Sequence, residues 1–314
     1  CAVLLDGLHE DCNKIKQKPY VDMEINGQHS EARRAILTWQ KHIKRHDSII
    51  VDHFQGMHKS HLTCVECSYL STKFDVYSCI SLPVPIVTSN SRRIPLKSCF
   101  DEFISSEQLD TDNAWFCPKC KEHVRAKKRI NLWTTPDILI LHLKRFGSHT
   151  GVSNGRKQTR IGSKITSVVD FPIEKLDLTD YVLLPDAEGG KKRENKYRLM
   201  GVAEHQGGTA NSGHYTATVR SRGKDPNSIG SWYRFNDGSV GATLADAAIT
   251  GGAYVLFYER IGATNSKLNR WGGMEEYMHS VGVDPYVEEK DEVDDDGFTQ
   301  VTKKSGKKRH GPRR

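Results

Sequence analysis

In the stretch EARRAILTWQKHIKR (31–45), Ala32, Ala35, Ile36, Trp39 and Ile43 fall on one stripe at helical spacing, which predicts an amphipathic helix. Upstream, CAVLLDGLHEDCNKI places Leu4, Leu8 and Ile15 on one helical face with no capping residue before them. This reads as a helix entered part-way, cut from a longer chain. The period then falls to two. KFDVYSCISLPV (73–84), KRINLW (128–133) and ILILHLKRF (138–146) read as strands, with Pro136 marking the start of the last. From Tyr197 onward YRLMGVAEH, HYTATVR, WYRFN and AYVLFYER alternate between turn residues and predict an antiparallel meander. The polar, glycine-bearing stretches 147–164 and 185–196 read as mobile loops. After Ile261 the regularity fades. An acidic run, EEKDEVDDD (288–296), and a basic one, KKSGKKRHGPRR (303–314), predict a disordered tail over 262–314.

Composition narrows the class. The chain has 314 residues, 37% hydrophobic and 27% charged, enough for one large domain or two smaller ones. No run approaches the roughly 18 apolar residues of a membrane helix, and no basic segment followed by an apolar core opens the chain. Its formal charge of +7 is spread over 46 basic and 39 acidic residues, which does not point to nucleic acid. The basic tail lacks the interleaved aromatics that stack on bases. Neither a nucleic-acid nor a membrane partner is expected, and the expected location is cytoplasmic, with KKSGKKRHGPRR as an alternative nuclear signal.

Four of the eight cysteines form two CxxC pairs, Cys64–Cys67 and Cys117–Cys120. Each pair lets one tight turn present two thiolates, and two such turns close a tetrahedral, structural Zn2+ site. The alternative is four reduced cysteines packed as small hydrophobes, with Val124 and Ile130 beside them in either case. His53, His58 and His61 raise a second metal possibility, but their polar flanks are those of a surface loop. Cys1, Cys12, Cys79 and Cys99 read as free cysteines buried within elements.

In SGHYTA (212–217) and WYRFNDG (232–238), a meander sets His214 at the start of one strand and Asn236 and Asp237 at the end of the next. A carboxamide or carboxylate there would accept a bond from the imidazole and fix its tautomer, as a general base requires. Gly213 would let an extended substrate backbone approach. Equally, His214 could cap a strand end with an ordinary hydrogen bond. No cysteine follows a Gly-Asn-type turn, so the sequence shows no thiol nucleophile; a serine stays open as the alternative, although no GxSxG occurs.

Together these motifs resemble the ubiquitin-specific protease family of deubiquitinating enzymes, in the family's order over most of residues 1–260. The resemblance is carried by LLDGLHED, FQGMHKSHLTCVEC, LKSCFDEFISSEQLDTDNAWFCPKC, PDILILHLKRF, YRLMGVAEHQGGTANSGHYTATVR, WYRFNDGSV and AYVLFYER. It implies an α+β, papain-like cysteine protease hand fold: an antiparallel palm, zinc-ribbon fingers and a thumb largely missing here. Residues 1–261 would be a partial catalytic domain, with fingers over about 54–130 and palm over about 131–261. His214 would be the general base, Asn236 its orienter and Asp237 a neighbour sharing that role. His205, Gly213, Tyr215 and Trp232 would line the channel for ubiquitin's C-terminal tail, and Cys64, Cys67, Cys117 and Cys120 would hold one structural Zn2+. The family's cysteine box is absent from the sequence and would lie upstream of Cys1. His-Gln-Gly stands at 205–207 where the family more often has His-Ser-Gly. The implied partners are ubiquitin and ubiquitinated proteins. The implied activity is a cysteine-type hydrolysis of the isopeptide bond, which this chain alone would not perform. The alternative is a non-catalytic ubiquitin-binding scaffold of the same fold.

Overall fold

The computed structural model describes residues 2–23, 25, 29–86, 93–146, 149–153, 156–160, 164–185, 194–209, 212–223, 230–262 and 270–287. Three helices come first: α1 (Ala2–Cys12), α2 (Glu31–Ile43) and α3 (Ile49–Phe54). The Oγ atoms of Ser30 and Ser48 cap α2 and α3 by accepting the N–H groups of Arg33 and Val51. The predicted stripe of α2 is the buried one, with Ala35, Ile36, Trp39 and Ile43 against the interior. α1 departs from expectation. It stops at Cys12 because the buried Asn13 carboxamide accepts the N–H groups of Ile15 and Asp47, which turns the chain toward the α2–α3 connection. Leu4 and Leu8 lie exposed, and the buried residue of α1 is His9.

The chain continues through β1 (Gly56–Cys64), β2 (Leu70–Tyr77), β3 (Ile80–Pro83), β4 (Arg93–Pro95), α4 (Leu96–Phe103), β5 (Glu107–Gln108), β6 (Trp115–Cys117), β7 (Glu122–Val124), β8 (Ala126–Thr134) and β9 (Ile138–Lys144). There follow β10 (His149–Ser153), β11 (Arg156–Arg160), β12 (Val168–Asp170), β13 (Leu176–Asp177), β14 (Lys196–Thr209), β15 (Ser212–Arg220), β16 (Trp232–Asn236), β17 (Ser239–Thr243), β18 (Ala253–Arg260) and α5 (Met274–Ser280). The finger sheet runs β2-β1-β8-β5, with β6 and β7 as a separate hairpin at its tip. The palm runs β17-β16-β15-β14-β18-β9-β3, with β13 joining β14. The predicted meander is thus the palm, enlarged by β17, whose exposed residues carry no apolar alternation.

The segment 73–84, expected as one strand, is two. Tyr77 pairs with Gly56 in the fingers, whereas Ile80 pairs with Leu141 in the palm, so the chain changes sheets at Ser78–Cys79. His53 lies in α3, and His58 and His61 lie in β1 rather than on a loop. His58 stacks flat on Tyr77, with ring centroids 4.0 Å apart. Of the remaining cysteines, Cys1 lies outside the described residues, Cys99 is buried as expected, and Cys79 is half-buried and Cys12 exposed, against the expectation of burial.

Two large cores divide the interior. One lies under the palm, where α4, β3, β9, β14 and β18 bring together Phe100, Leu82, Leu141, Leu199 and Leu256. The other joins Trp39, Trp133, Trp271, Met274 and Met278. The second overturns the expectation that order ends at residue 261. Residues 271–287 fold back onto α2 and α3: Trp271 donates its indole N–H to Asp52 of α3, and the Gln40 carboxamide of α2 donates to the carbonyls of Asp284 and Val287. Isolated apolar residues in a polar stretch hide this docking from a periodicity reading. The charged runs 288–296 and 303–314 lie outside the described residues. Within 147–164, expected as a loop, β10 and β11 pair as an antiparallel ladder from His149↔Arg160 to Ser153↔Arg156. Of 185–196, residues 186–193 lie outside the described residues.

Candidate active site

The palm register brings the predicted base and its orienter together. β14 and β15 pair Glu204↔Thr216, His205↔Tyr215 and Gln206↔His214, and β15 pairs Ala217 with Phe235 of β16. On this pleat His214, Thr216 and Thr218 share one face of β15, next to Asn236 and Arg234 on β16. His214 Nε2 lies 2.6 Å from Asn236 Oδ1. With the amide oxygen as acceptor, Nε2 carries the proton, so Nδ1 is the lone-pair nitrogen and the basic atom. Asp237 stands further off, its Oδ2 3.8 Å from Nε2, with a side chain 82% exposed to solvent. Its backbone takes φ of 49° in the turn to β17, a left-handed conformation that Asp tolerates better than most residues.

Behind this pair sits a polar network that sequence reasoning missed. Glu204, buried on β14, accepts hydrogen bonds from Thr250 Oγ1 at 2.7 Å and Thr216 Oγ1 at 3.2 Å, and Arg234 stands 3.6 Å from the same carboxylate. It ties β14, β15 and β16 together two residue pairs along the β14–β15 ladder from His214, which stiffens the strands that aim His214 and Asn236. The sequence carries no signal for it, because the burial of Glu204 and its threonine partners emerge only from the fold.

His205 is buried, and burial first, then the Lys164 ammonium, hold its pKa below the ordinary histidine value. Lys164 donates to the His205 carbonyl and lies 3.3 Å from its Nδ1. Gly213 is required by this packing: a Cβ there would meet the His205 ring and stand 2.5 Å from the Gln206 carbonyl oxygen. Tyr215 is exposed and tilts against His205, with centroids 4.8 Å apart. Phe146 and Tyr254, which no sequence pattern singles out, complete an aromatic wall around His205 at 5.3 and 6.1 Å. Trp232 is not part of it. It is buried in the palm core at the opposite end of β16 from Asn236, so its role here is packing. Arg145, at the end of β9, is fully buried and donates to the carbonyls of Ala253, Ile165 and Ser167. It anchors β18 and the segment carrying Lys164. Two cavities of about 650 Å3 lie elsewhere on the palm, and the His214 side chain is 44% exposed to solvent.

At the tip of the fingers the four predicted cysteines converge. Cys64 Sγ lies 3.8 Å from Cys120 Sγ, and Cys67 Sγ lies 3.6 Å from Cys117 Sγ. A tetrahedron of thiolates around Zn2+ at about 2.3 Å has edges of about 3.8 Å, so the cluster fits that ion. The two halves repeat one backbone design. The N–H of Cys67 points at Cys64 Sγ, and that of Cys120 at Cys117 Sγ. Ser68 and Lys121 then turn the chain at φ of 58° and 64°. Cys120 is pushed well above the ordinary thiol range, first by its contact with Cys67 and then by burial. A divalent cation removes that cost of crowding thiolates. Beside the cluster Val124 is buried, and Trp115 packs against it. The residues needed to hold Zn2+ are therefore Cys64, Cys67, Cys117 and Cys120, and its contribution would be structural.

Comparison with known proteins agrees with this arrangement. The model of the ubiquitin carboxyl-terminal hydrolase family matches residues 1–258. Ubiquitin carboxyl-terminal hydrolase 2 of Homo sapiens is 36% identical over 256 residues, 82% of this chain and 38% of that protein. Ubiquitin carboxyl-terminal hydrolase 21 of Bos taurus is 34% identical over 230 residues, 73% of this chain and 37% of that protein. The chain thus spans well under half of these curated relatives. Among solved structures, a SAGA Ubp8/Sgf11/Sus1/Sgf73 DUB module variant aligns with a TM-score of 0.54 at 25% identity, covering 82% of this chain and 49% of that one. A yeast SAGA DUBm aligns with a TM-score of 0.52 at 28% identity, covering 72% of this chain and 45% of that one. The hand-like α+β architecture is therefore the one expected, and with a histidine box, paired cysteine turns and palm in one order across residues 1–258, this chain belongs to the ubiquitin carboxyl-terminal hydrolase family.

Proposed function

We propose that this chain is the base-bearing and zinc-bearing part of a cysteine-type deubiquitinase, which hydrolyses the isopeptide bond after ubiquitin's C-terminal glycine. The observation that carries the reading is the 2.6 Å contact of His214 Nε2 with Asn236 Oδ1, since it leaves Nδ1 as the basic nitrogen. The nucleophile is a cysteine preceding Cys1 in the full-length protein. Among the described cysteines, four form the metal cluster, burial pushes the Cys79 thiol up, and burial drives that of Cys99 to about 11. Cys12 lies exposed at the C-terminal end of α1, not at a helix N-terminus where a thiolate is stabilised.

In this reading Nδ1 of His214 takes the thiol proton, and the thiolate attacks the isopeptide carbonyl carbon. The resulting imidazolium gives its proton to the departing lysine amine, leaving a thioester. His214 then deprotonates a water that releases the ubiquitin carboxylate and restores the thiol. Asn236 holds the ring through both transfers. Glu204, Thr216 and Arg234 keep β15 and β16 in register beneath it. Gly213, His205, Tyr215, Phe146 and Tyr254 form the narrow wall along which a glycine-ended tail lies, and side chains would exclude other tails. One Zn2+ on the four cysteines would fix the finger tip. The partners are ubiquitin and ubiquitinated proteins; a solved SAGA DUB module that this chain resembles is bound to ubiquitin aldehyde. No helix among the described residues is long and apolar enough to cross a membrane, and we place the protein in the cytoplasm or nucleus.

The test uses the full-length protein and a ubiquitin derivative with a thiol-reactive C-terminus. Adduct formation should be lost on His214→Ala and slowed on the order of a hundredfold by Asn236→Ala. Ubiquitin binding without adduct in the wild type would establish the scaffold reading instead.

A further inference from the structure

A second cluster of ligating side chains lies far along the chain from the cysteines, where the end of α1 meets the α2–α3 connection. His9, Glu10 and His46 place one ligand atom each within 4.8 Å of one another. His9 Nε2 is 2.9 Å from His46 Nδ1 and 3.8 Å from Glu10 Oε1. We propose that these three side chains form a second, independent site for a divalent transition ion, Zn2+ by the chemistry of its donors.

The donor set is two imidazole nitrogens and one carboxylate, which suits Zn2+ and leaves a coordination position for water. His9 is already oriented for the task. Its Nδ1 lies 2.7 Å from Ser48 Oγ, and in the tautomer that donates there, Nε2 presents its lone pair to the cluster. Ser48 is itself fixed as the cap of α3. His46 already brings its Nδ1 to the cluster, 2.9 Å from His9 Nε2. It also stacks on His42 at 4.7 Å, which limits how far the ring must turn to bring Nδ1 off its hydrogen bond and onto an ion. His42 is engaged elsewhere, its Nε2 2.8 Å from Gln55 Oε1, and takes no part as a ligand.

The competing cation is Lys18, whose ammonium lies 2.5 Å from Glu10 Oε1. An entering ion displaces it. The other nearby charges are paired or turned away: Lys14 meets Asp47 at 3.0 Å, and Arg45 donates to the Pro19 carbonyl. The ion would join residues 9 and 10 to residue 46 and so clamp α1 onto the α2–α3 connection. This site does not depend on the proposed deubiquitinase activity, and its test does not read activity.

Cobalt(II) titration of this chain, freed of metal under reducing conditions, separates the two sites by colour. The first equivalent should show thiolate-to-cobalt charge transfer from the four cysteines. The second should add visible ligand-field absorption without further charge transfer. His46→Ala, at a partly exposed position, should weaken the second equivalent by at least about tenfold and leave the first unchanged. A wild type that stops at one equivalent, or a His46→Ala chain that binds the second as tightly, would overturn the site. Lys18→Ala should tighten the second equivalent by freeing Glu10. Unchanged affinity in that variant would remove Glu10, and with it the three-ligand assignment.

Discussion

The palm and the finger tip are both built mainly of antiparallel strands, with β3 pairing parallel to β9 at the palm's edge, yet they are held by different forces. The palm core gathers residues from β3, β9, β14 and β18 together with α4, so each strand is fixed by apolar contacts on several sides. Among the described residues, the buried apolar cluster at the tip is Cys64, Cys117 and Val124, two of which are proposed metal ligands. A sheet of that size cannot bury enough surface to offset the entropy of ordering its turns. The difference teaches that the same secondary structure in one chain can be stable in its own right or only conditionally so, and the size of the local core decides which.

The largest expected effect follows at the tip. Structural zinc sites contribute on the order of 10 kcal/mol or more to the folding of the segment that they close. Chelation, or Cys64→Ser, should therefore abolish hydrogen-exchange protection in β6, β7 and the outer ends of β1 and β8. The palm amides should keep theirs. Elemental analysis should show loss of the thiolate-bound zinc. Protection at the tip that survives both treatments would mean that the small core suffices, and the comparison would fail.

The reverse experiment strikes the palm. Leu256 is fully buried among the strands of its core, and truncation to alanine should cost about 2–5 kcal/mol through lost burial and a residual cavity. The loss should appear as a lower urea midpoint for the whole molecule, with the stoichiometry of tightly bound zinc unchanged. A metal-dependent change would show that the two regions are coupled more closely than their separate cores imply.

How much of this division was legible beforehand depended on which signal carried it. Alternation marked the meander because one face of each palm strand is buried, and CxxC spacing marked the metal turns because two thiolates must leave one turn together. His214 and Asn236 could be paired once the meander was recognised. Glu204 and Arg145 could not, since a buried charge is identified by the partners the fold delivers, from Thr216 and Thr250 in one case and the carbonyls of Ala253, Ile165 and Ser167 in the other. Trp271 and Met278 stayed hidden for the opposite reason: their apolar surface is scattered, and docking onto α2 from more than two hundred residues away leaves no local period. Trp232 shows the hazard of proximity in sequence, because four positions along a strand separate the core end of β16 from its active end.

A smaller effect probes the junction of the two regions. His58 lies in β1 against Tyr77, and burial lowers its pKa to about 4; burial does the same to His42 on α2, also to about 4. Each remains neutral when folded, while the unfolded chain takes up a proton near pH 6.5. Their stabilisation is thus complete above about pH 6.5 and is lost as pH falls toward 4. By linkage each should account for about 2 kcal/mol of loss between pH 7.5 and pH 5. Urea midpoints read by palm fluorescence at those two pH values should show the loss. His58→Phe, which keeps a ring on Tyr77, should remove its share, and an unchanged pH dependence in that variant would show that His58 is already accessible to protons in the folded state.

The smallest expected effect separates the two residues at the end of β16. Asn236 touches His214 at 2.6 Å, whereas Asp237 stands at 3.8 Å, largely in water, where an ion pair is worth at most about 1 kcal/mol. In the full-length enzyme, Asp237→Asn should lower kcat/KM by no more than about fivefold, the same free energy expressed as a rate. The variant keeps a residue type that tolerates the left-handed turn at φ of 49°, so lost activity cannot be blamed on backbone strain. Raised ionic strength should narrow even that difference, because an exposed pair is screened. A loss comparable to that of Asn236→Ala would mean that Asp237 closes onto the imidazole when substrate binds, and the orienting role would then belong to the pair.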